Sequence, residues 1–501
     1  MRKLFLAMLL MQCLQADAQA NKYGLIPYRK GDKWGYSDAQ KKIIIEPRFS
    51  EVNFFDGEIA TAKLDSYYCV INKKGDIIYK HKNLMFIADD GSTFITWDNS
   101  YTHQMFDKQG RPVTKVYNDI RSFNKYGYAQ VTTGYVKRGL IDKTFTEVMP
   151  TKYGSLEFFT PSLVKVYDES LKKYGLFNLK TRQQFATDYS MIYPPQENMM
   201  MVRQGDLYGF MDMGGRLIVP VKYQKEAPGS EKRGVSYNES TYVDFNLDGF
   251  YSGLAVVVEN GKAGYIDKKG RTVIPFEFDQ AYGFSGNCAW VRKGTKWGMI
   301  NKQGKYVLQP VYTYPAIVTA KELEALDGFH EGLVPVATDS LFGYVDTTGK
   351  VVIPFTYERA ESFFDGLAAV YVRSKVGFIN RKGEMVIEPK FKWLEGVGIY
   401  NSKPFRDGYG IALNEDESWS LVNTKGKEML PYHFTDSYLQ IDENGIGNGV
   451  ANGKRYVFNT KGDILYTFEK APSVFQHTPE LFYNYGEKCY INIKAKVKYC
   501  D

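Results

Sequence analysis

The chain is poor in the residues that carry most active-site chemistry: its 501 residues include five cysteines and five histidines. No CxxC or paired-histidine spacing occurs, so the clustered ligands that zinc requires are missing. His81, His103, His330, His433 and His477 are scattered, without a nucleophile-and-base spacing. Asn287 follows Gly283-Phe284-Ser285-Gly286, which excludes a GxSxG nucleophile elbow. The run Gly445-Ile446-Gly447-Asn448-Gly449-Val450 lacks the sixth-position glycine and the following helix of a dinucleotide fingerprint, and it reads as turns. No cofactor is expected.

Long apolar runs and a charge excess are missing too. Beyond the first twenty residues no uninterrupted apolar stretch approaches the ~20 residues that span a bilayer. The formal net charge is +7, and lysines fall in turn tips such as Lys73-Lys74 and Lys268-Lys269 rather than on one face. Nucleic acid would call for a concentrated basic surface, so it is not an expected partner.

The N-terminus carries a secretory pattern. Arg2-Lys3 precede the apolar run from Leu4 to Met11, and Ala18-Gln19-Ala20 gives a small-x-small end, so residues 1–20 read as a signal peptide cleaved before Asn21. A lipoprotein signal at Cys13 would need a small residue where Gln12 stands. The expected location is exported, either periplasmic or at the cell surface, with no transmembrane segment in the mature chain. Disulfides persist in such compartments. Cys489 and Cys500 bracket an alternating segment that reads as a terminal hairpin, and they are the expected disulfide; the alternative is two unpaired thiols. Cys69 and Cys288 read as small buried hydrophobes.

What the chain has in quantity is repetition. An Asp or Asn that follows two mostly apolar residues and, in most copies, a glycine before them recurs at Asp38, Asn72, Asp107, Asp142, Asn178, Asp212, Asp267, Asn301, Asp346, Asn380, Asn423, Asn459 and Asn492. Nine of the twelve intervals are 33–36 residues, so length here counts repeats that share a core rather than separate domains. In one repeat, Leu254-Ala255-Val256-Val257-Val258-Glu259 leads through Asn260-Gly261, a tight-hairpin dipeptide, to Lys262-Ala263-Gly264-Tyr265-Ile266. Asp267-Lys268-Lys269-Gly270 then supplies a capping carboxylate and a glycine for a left-handed turn position. A third strand runs from Arg271 to Pro275, where the missing N–H marks a strand end or edge. The remaining residues have room for a short fourth strand or a crossing loop.

The phrase is literal at Lys33-Trp34-Gly35 and Lys296-Trp297-Gly298, with Tyr174, Tyr208, Phe342, Ala263 or Val376 at the tryptophan position elsewhere. The chain resembles the exported WG-repeat, or KWG-repeat, proteins of bacteria. The resemblance implies an all-β array with no established enzymatic activity. The signal pattern and the repeat spacing divide the chain into signal peptide 1–20, degenerate N-terminal repeats 21–222, an insertion 223–249 and C-terminal repeats 250–501. The expected fold is a tandem array of about 13 three-stranded meanders, elongated or superhelical, because ~35 residues leave little room for the fourth strand typical of a propeller blade. One or two closed propellers, of six and seven repeats, are the alternative. Poorer order is expected where turn glycines are lost, as at Thr144-Phe145-Thr146 and Thr181-Arg182-Gln183.

Long intervals follow Asp212, Asn301 and Asn380, so alternate repeats carry insertions at Tyr223–Asp248, Tyr312–His330 and Phe391–Asp407. These hold Tyr237, Tyr242, Tyr314, Trp393, Tyr400 and Phe405, candidate anchors for a protein, peptide or glycan. Covering sheet edges is the simpler role for such loops. Asp244-Phe245-Asn246-Leu247-Asp248-Gly249 matches half a calcium loop, yet Ala255 stands where the bidentate Glu belongs, so no metal site is assigned. The expected function is a non-enzymatic binding or scaffold protein of the cell envelope. A polysaccharide hydrolase or lyase is the alternative, without a carboxylate pair to nominate.

Overall fold

The computed structural model describes residues 24–500 except 84, 88–90, 98–101, 135, 225–248, 285, 316–328, 393–404, 406, 436–438, 443, 470–473, 477–480 and 486. The signal-peptide residues therefore lie outside it. Every regular element among the described residues is a β-strand, arranged as successive small antiparallel meanders. The tandem all-β array read from the sequence is the observed fold.

The repeat Leu254–Phe278 shows how the sequence sets the local structure. Leu254–Glu259 pairs with Lys262–Asp267 across Asn260 and Gly261, both with positive φ (51° and 75°) as a two-residue hairpin turn demands. Asp267 closes the next turn. Its Oδ1 accepts from the backbone N–H of Lys269 and Arg271, each at 2.9 Å, and Gly270 takes φ 78°. The first and fourth repeats close the same turn without glycine, Asp38 and Asp142 accepting from the backbone N–H groups two and four residues on. Lys41 and Phe145 occupy the left-handed position at φ 67° and 62°, at a steric cost of roughly 1 kcal/mol each. The fifth repeat uses a longer turn, in which Asn178 Oδ1 accepts from the N–H of Lys180 and Thr181 and Arg182 takes φ 57°.

The third strand differs from expectation. It runs Thr272–Phe278, straight through Pro275, and bulges where the proline sits. Ala263 pairs with Phe278 and Tyr265 with Ile274, so three residues stand opposite Gly264. The same shift recurs between Trp297↔Tyr312 and Met299↔Leu308, and between Phe342↔Tyr357 and Tyr344↔Ile353. The crowding explains the phrase. A Cβ on Gly298 would lie 2.6 Å from the Leu308 carbonyl oxygen and 2.9 Å from the Pro310 nitrogen. Proline fits because a bulged edge strand asks for no N–H. In two repeats that lack the glycine the bulge is absent too: Cys69 pairs directly with Lys80 and Tyr456 with Thr467, and neither third strand contains proline. In two others a polar residue takes the glycine's place and a bulge persists, opposite Gln104 between His103↔Tyr117 and Phe106↔Pro112, and opposite Ser420 between Trp419↔Phe434 and Val422↔Glu428.

A fourth strand is present in many repeats, only two residues long. Gln280–Ala281 pairs with Arg292 and Val291, and Arg359–Ala360 with Tyr371 and Val370. This corrects the estimate that ~35 residues leave too little room, and it removes the reason for ranking closed propellers second.

Neighbouring repeats are joined by recurring contacts. Tyr36, Tyr265 and Tyr344 are fully buried, and each donates its hydroxyl to a carbonyl 17 residues on, in the link to the next repeat: Asn53 at 2.6 Å, Tyr282 at 2.8 Å and Glu361 at 2.7 Å. Turn glycines pack on the preceding repeat. A Cβ on Gly304 would meet Ile274 Cγ2 at 3.2 Å, and one on Gly349 would meet the Val307 carbonyl at 3.0 Å. Gly349→Val combines positive φ for a β-branched residue with that contact, so a loss of about 3 kcal/mol is expected. Trp297→Tyr should cost about 1.5 kcal/mol, since it trims a buried ring that stacks on Tyr282. Equal or reversed shifts in melting midpoint would contradict this role for the turn glycine.

Contacts sort the chain into two compact units, a division by packing that differs in kind from the division by repeat quality at 223–249. One holds the described parts of Met1–Lys172, Phe177–Gln184 and Ala471–Asp501; the other holds Lys173–Leu176 and the described parts of Phe185–Lys470. In the first unit the last repeat packs on the first. The Arg29 N–H donates to the Tyr499 carbonyl at 3.1 Å, and Ile26, Leu481 and Tyr499 form a buried cluster. Tyr490 meets Phe54 edge-on at 4.8 Å. The second unit has its own serial clusters, from Met201, Phe210 and Val257 through Leu421, Phe434 and Phe458.

Candidate functional site

The fourth repeat departs from its neighbours where regular repeats read aromatic-x-Gly-Leu-Ala. Here the segment is Asn124-Lys125-Tyr126-Gly127-Tyr128-Ala129, so a tyrosine replaces the leucine and another precedes the glycine. Asn124 shapes the loop. Its Oδ1 accepts from the N–H of Tyr126 at 2.9 Å and of Tyr128 at 3.2 Å, and Gly127 adopts φ 83°. Ala129 remains fully buried, which holds the following strand in register and leaves the two tyrosines half-buried.

These residues line an open cleft of about 730 Å³, with Phe123, Asn124, Lys125, Tyr126, Gly127 and Tyr128 on one side and Asp142, Lys143 and Thr144 on the other. Phe158 backs the aromatic wall, its ring centroid 5.6 Å from Tyr126 and 5.9 Å from Tyr128. The Lys125 ammonium lies 5.1 Å from the Tyr126 ring. Burial tends to raise the Asp142 pKa, but hydrogen bonds from the Thr144 hydroxyl, Thr146 N–H and Thr144 N–H, with Arg182 nearby, hold it below the usual range. Asp142 is thus an ionised turn cap. It is the one carboxylate in the described lining, whereas glycoside hydrolysis needs two across the substrate. An aromatic wall with a polar rim suits a ligand that has apolar ring faces and hydroxyl edges.

The insertion anchors are placed unevenly. Tyr237, Tyr242, Trp393 and Tyr400 lie outside the described residues, and Tyr314 forms a two-residue strand whose backbone pairs with Ala337. Phe405 is not a surface anchor: it is 1% exposed and meets Phe378 edge-on at 5.1 Å. Its flanking Pro404 and Asp407 gave it the look of a loop residue. Cys288 is half-buried rather than buried, while Cys69 is fully buried. Both members of the expected disulfide are free thiols here, Cys489 buried and Cys500 half-buried. Gly447 and Gly449 belong to the strand Ile446–Ala451 and not to a turn. Among the described residues no group of three or more His, Cys, Asp and Glu could hold a metal; residues 244–248 lie outside them. No helix of the described residues is long and apolar enough to cross a membrane. Tyr126 and Tyr128 escaped the sequence reading, although the broken Gly-Leu-Ala element was a visible signal.

Comparison with known proteins agrees with the repeat architecture. The WG containing repeat matches residues 34–68, 105–135, 264–297, 297–314, 342–375 and 377–415. No curated protein matches the chain. Among solved structures it is similar to a eukaryotic initiation factor at 11% identity, covering 72% of this chain and 95% of that one with a TM-score of 0.27. It is also similar to BamB from Moraxella catarrhalis at 13% identity, covering 61% and 93% with a TM-score of 0.28. Five of the six matched segments contain the glycine, capped turn and proline bulge described above, residues 105–135 contain the turn capped by Asp107, and the chain is a WG-repeat-containing protein.

Proposed function

We propose that this protein is an exported, non-enzymatic binding scaffold of the cell envelope that holds a glycan in the cleft of its fourth repeat. The observation that carries this reading is the wall formed by Tyr126 and Tyr128 over Phe158, facing the Asp142 turn across about 730 Å³. Tyrosine rings offer a sugar their apolar faces, while Lys125, Lys143 and Thr144 can serve its hydroxyl or acidic groups. The envelope location rests on the N-terminal sequence pattern. The repeats supply a rigid mount, with both walls of the cleft fixed by backbone N–H groups that donate to the Asn124 and Asp142 side chains.

The test is calorimetry of the mature protein against a panel of soluble neutral and acidic oligosaccharides. A Tyr126→Ala variant with unchanged circular dichroism should bind about thirtyfold more weakly, the loss of one aromatic anchor worth ~2 kcal/mol. Unchanged affinity in that variant would reject the cleft. Failure of every sugar in the panel would reject the glycan, and a protein or peptide bound through Trp393 and Tyr400 would then be the surviving reading.

A further inference from the structure

The last repeat replaces the glycine of the phrase with Cys489, as the second repeat does with Cys69, but here the third strand brings a second cysteine opposite. Ile491 pairs with Lys498 and Asn492 with Val497, and the Tyr499 N–H donates to the Tyr490 carbonyl at 2.9 Å. Continued by one residue, that register sets Cys489 across from Cys500 at a non-hydrogen-bonded position. Opposed Cα atoms stand about 4.5 Å apart at such positions, inside the range of roughly 4.4–6.8 Å that a disulfide spans. The Cys489 sulfur interacts with Cys500 and lies 3.8 Å from Glu487 Oε2. Cys69 lacks such a partner in register: its thiol points to the Tyr67 carbonyl at 3.9 Å, and Lys80 stands opposite.

Cys500 also sits at the seam. It bridges in parallel to Arg29, its carbonyl accepts from the Lys41 ammonium at 3.4 Å, and the adjacent Tyr499 carbonyl accepts from Arg29. We propose that Cys489 and Cys500 form a reversible disulfide clasp that fastens the strand on which Ile26–Lys30 docks. Closure needs a small-molecule disulfide as oxidant. The more accessible Cys500 thiolate attacks it, forming a mixed disulfide and releasing one small thiol. Cys489 then loses its proton, attacks the Cys500 sulfur and expels the second small thiol. Two S–H bonds become one protein S–S bond, and the two electrons and two protons leave in the small thiols. Burial holds the Cys489 thiol well above its ordinary pKa, which slows the second step near neutral pH and makes closure faster as pH rises.

The full mature chain, equilibrated with oxidised glutathione or with a reductant, is followed by peptide mapping and hydrogen exchange. A linked Cys489–Cys500 peptide is expected, with Cys69 and Cys288 still alkylatable. Amides of Ile26–Lys30 should exchange on the order of 100-fold more slowly in the oxidised form, the effect of closing a loop of this length, while those of Lys262–Asp267 stay unchanged. Cys500→Ser should exchange like the reduced protein under both conditions. Free Cys489 and Cys500 after oxidation would overturn the proposal. So would a linked peptide with unaltered exchange at Ile26–Lys30, which would leave a bond that clasps nothing.

Discussion

Gly298→Ala is expected to destabilise its repeat by about 3 kcal/mol or more, one of the largest effects available from adding a single methyl group. The three atoms nearest the added Cβ are Leu308 O at 2.6 Å, Pro310 N at 2.9 Å and Gln309 C at 3.0 Å. All are backbone, so no side chain can swing aside. Either the third strand must leave the sheet or the Trp297–Tyr312 pairing must break. Gly253→Ala is the control: its φ of 88° is strained for alanine, but nothing lies within 4 Å, so about 1–2 kcal/mol is expected. A rescue follows from the second repeat, whose third strand is two residues shorter and pairs Cys69 with Lys80. Deleting Gln309 and Pro310 from the Gly298→Ala variant should restore much of the loss, because residue 298 could then pair directly with Val311. Hydrogen exchange measures each change locally, at Lys296–Asn301 for the Gly298 variants and at Leu254–Glu259 for Gly253→Ala. Equal effects of the two glycine substitutions, or no rescue, would refute the bulge as the reason for the glycine.

Alkaline solution should unfold the protein steeply. Burial drives the hydroxyl pKa values of Tyr36, Tyr265 and Tyr344 far above the ordinary value. Tyr153, Tyr490 and Tyr499 are pushed up to about 12, chiefly by burial, with Asp168, Tyr483 and Asp38 respectively adding to it. The sign follows from proton counting. Below about pH 10 both states keep these protons, and stability does not depend on them. Above it the unfolded chain loses protons that the folded chain retains, so stability falls as pH rises through the window between the two pKa values. Each such tyrosine contributes up to ~1.4 kcal/mol per pH unit, and for the last three the loss is complete near pH 12. Denaturation midpoints taken from about pH 9 to about pH 11 should be flat and then drop. Tyr265→Phe should cost roughly 1 kcal/mol at neutral pH through the lost bond to the Tyr282 carbonyl, and should make the alkaline slope shallower. An unchanged slope would mean that Tyr265 ionises in the folded state.

The parts of the fold that could be read in the sequence are local. Asp267, Gly270 and Asn260-Gly261 each act within four residues of themselves, so their chemistry is visible in a short window. The pairing of Gly298 with the bulge at Pro310 spans a strand and a turn, and it looks like two separate signals until the register is known. Gln280–Ala281 is too short to show any alternation. Phe405 is part of the core through Phe378, a contact that no periodicity marks. At the candidate site, Tyr126 and Tyr128 resembled the aromatics that fill interfaces everywhere else in a chain with 39 tyrosines. Their distinction is the cleft in front of them, which only the packing of Phe158 and the Asp142 turn defines.

The junction of Ile26 and Arg29 with Leu481 and Tyr499 has a consequence in time. A ribosome adds roughly 5–20 residues per second, so the partner of Ile26–Lys30 is made about half a minute to a minute and a half after that strand emerges. Through that interval the first repeat carries an uncovered apolar flank of Ile26, Tyr28 and Phe54. Repeats whose partners are adjacent in sequence can stack as they appear, while the first must wait for the last. The nascent chain therefore keeps apolar surface uncovered longest at its oldest segment, and a message truncated within the final repeat would release a product whose defect lies at its opposite end.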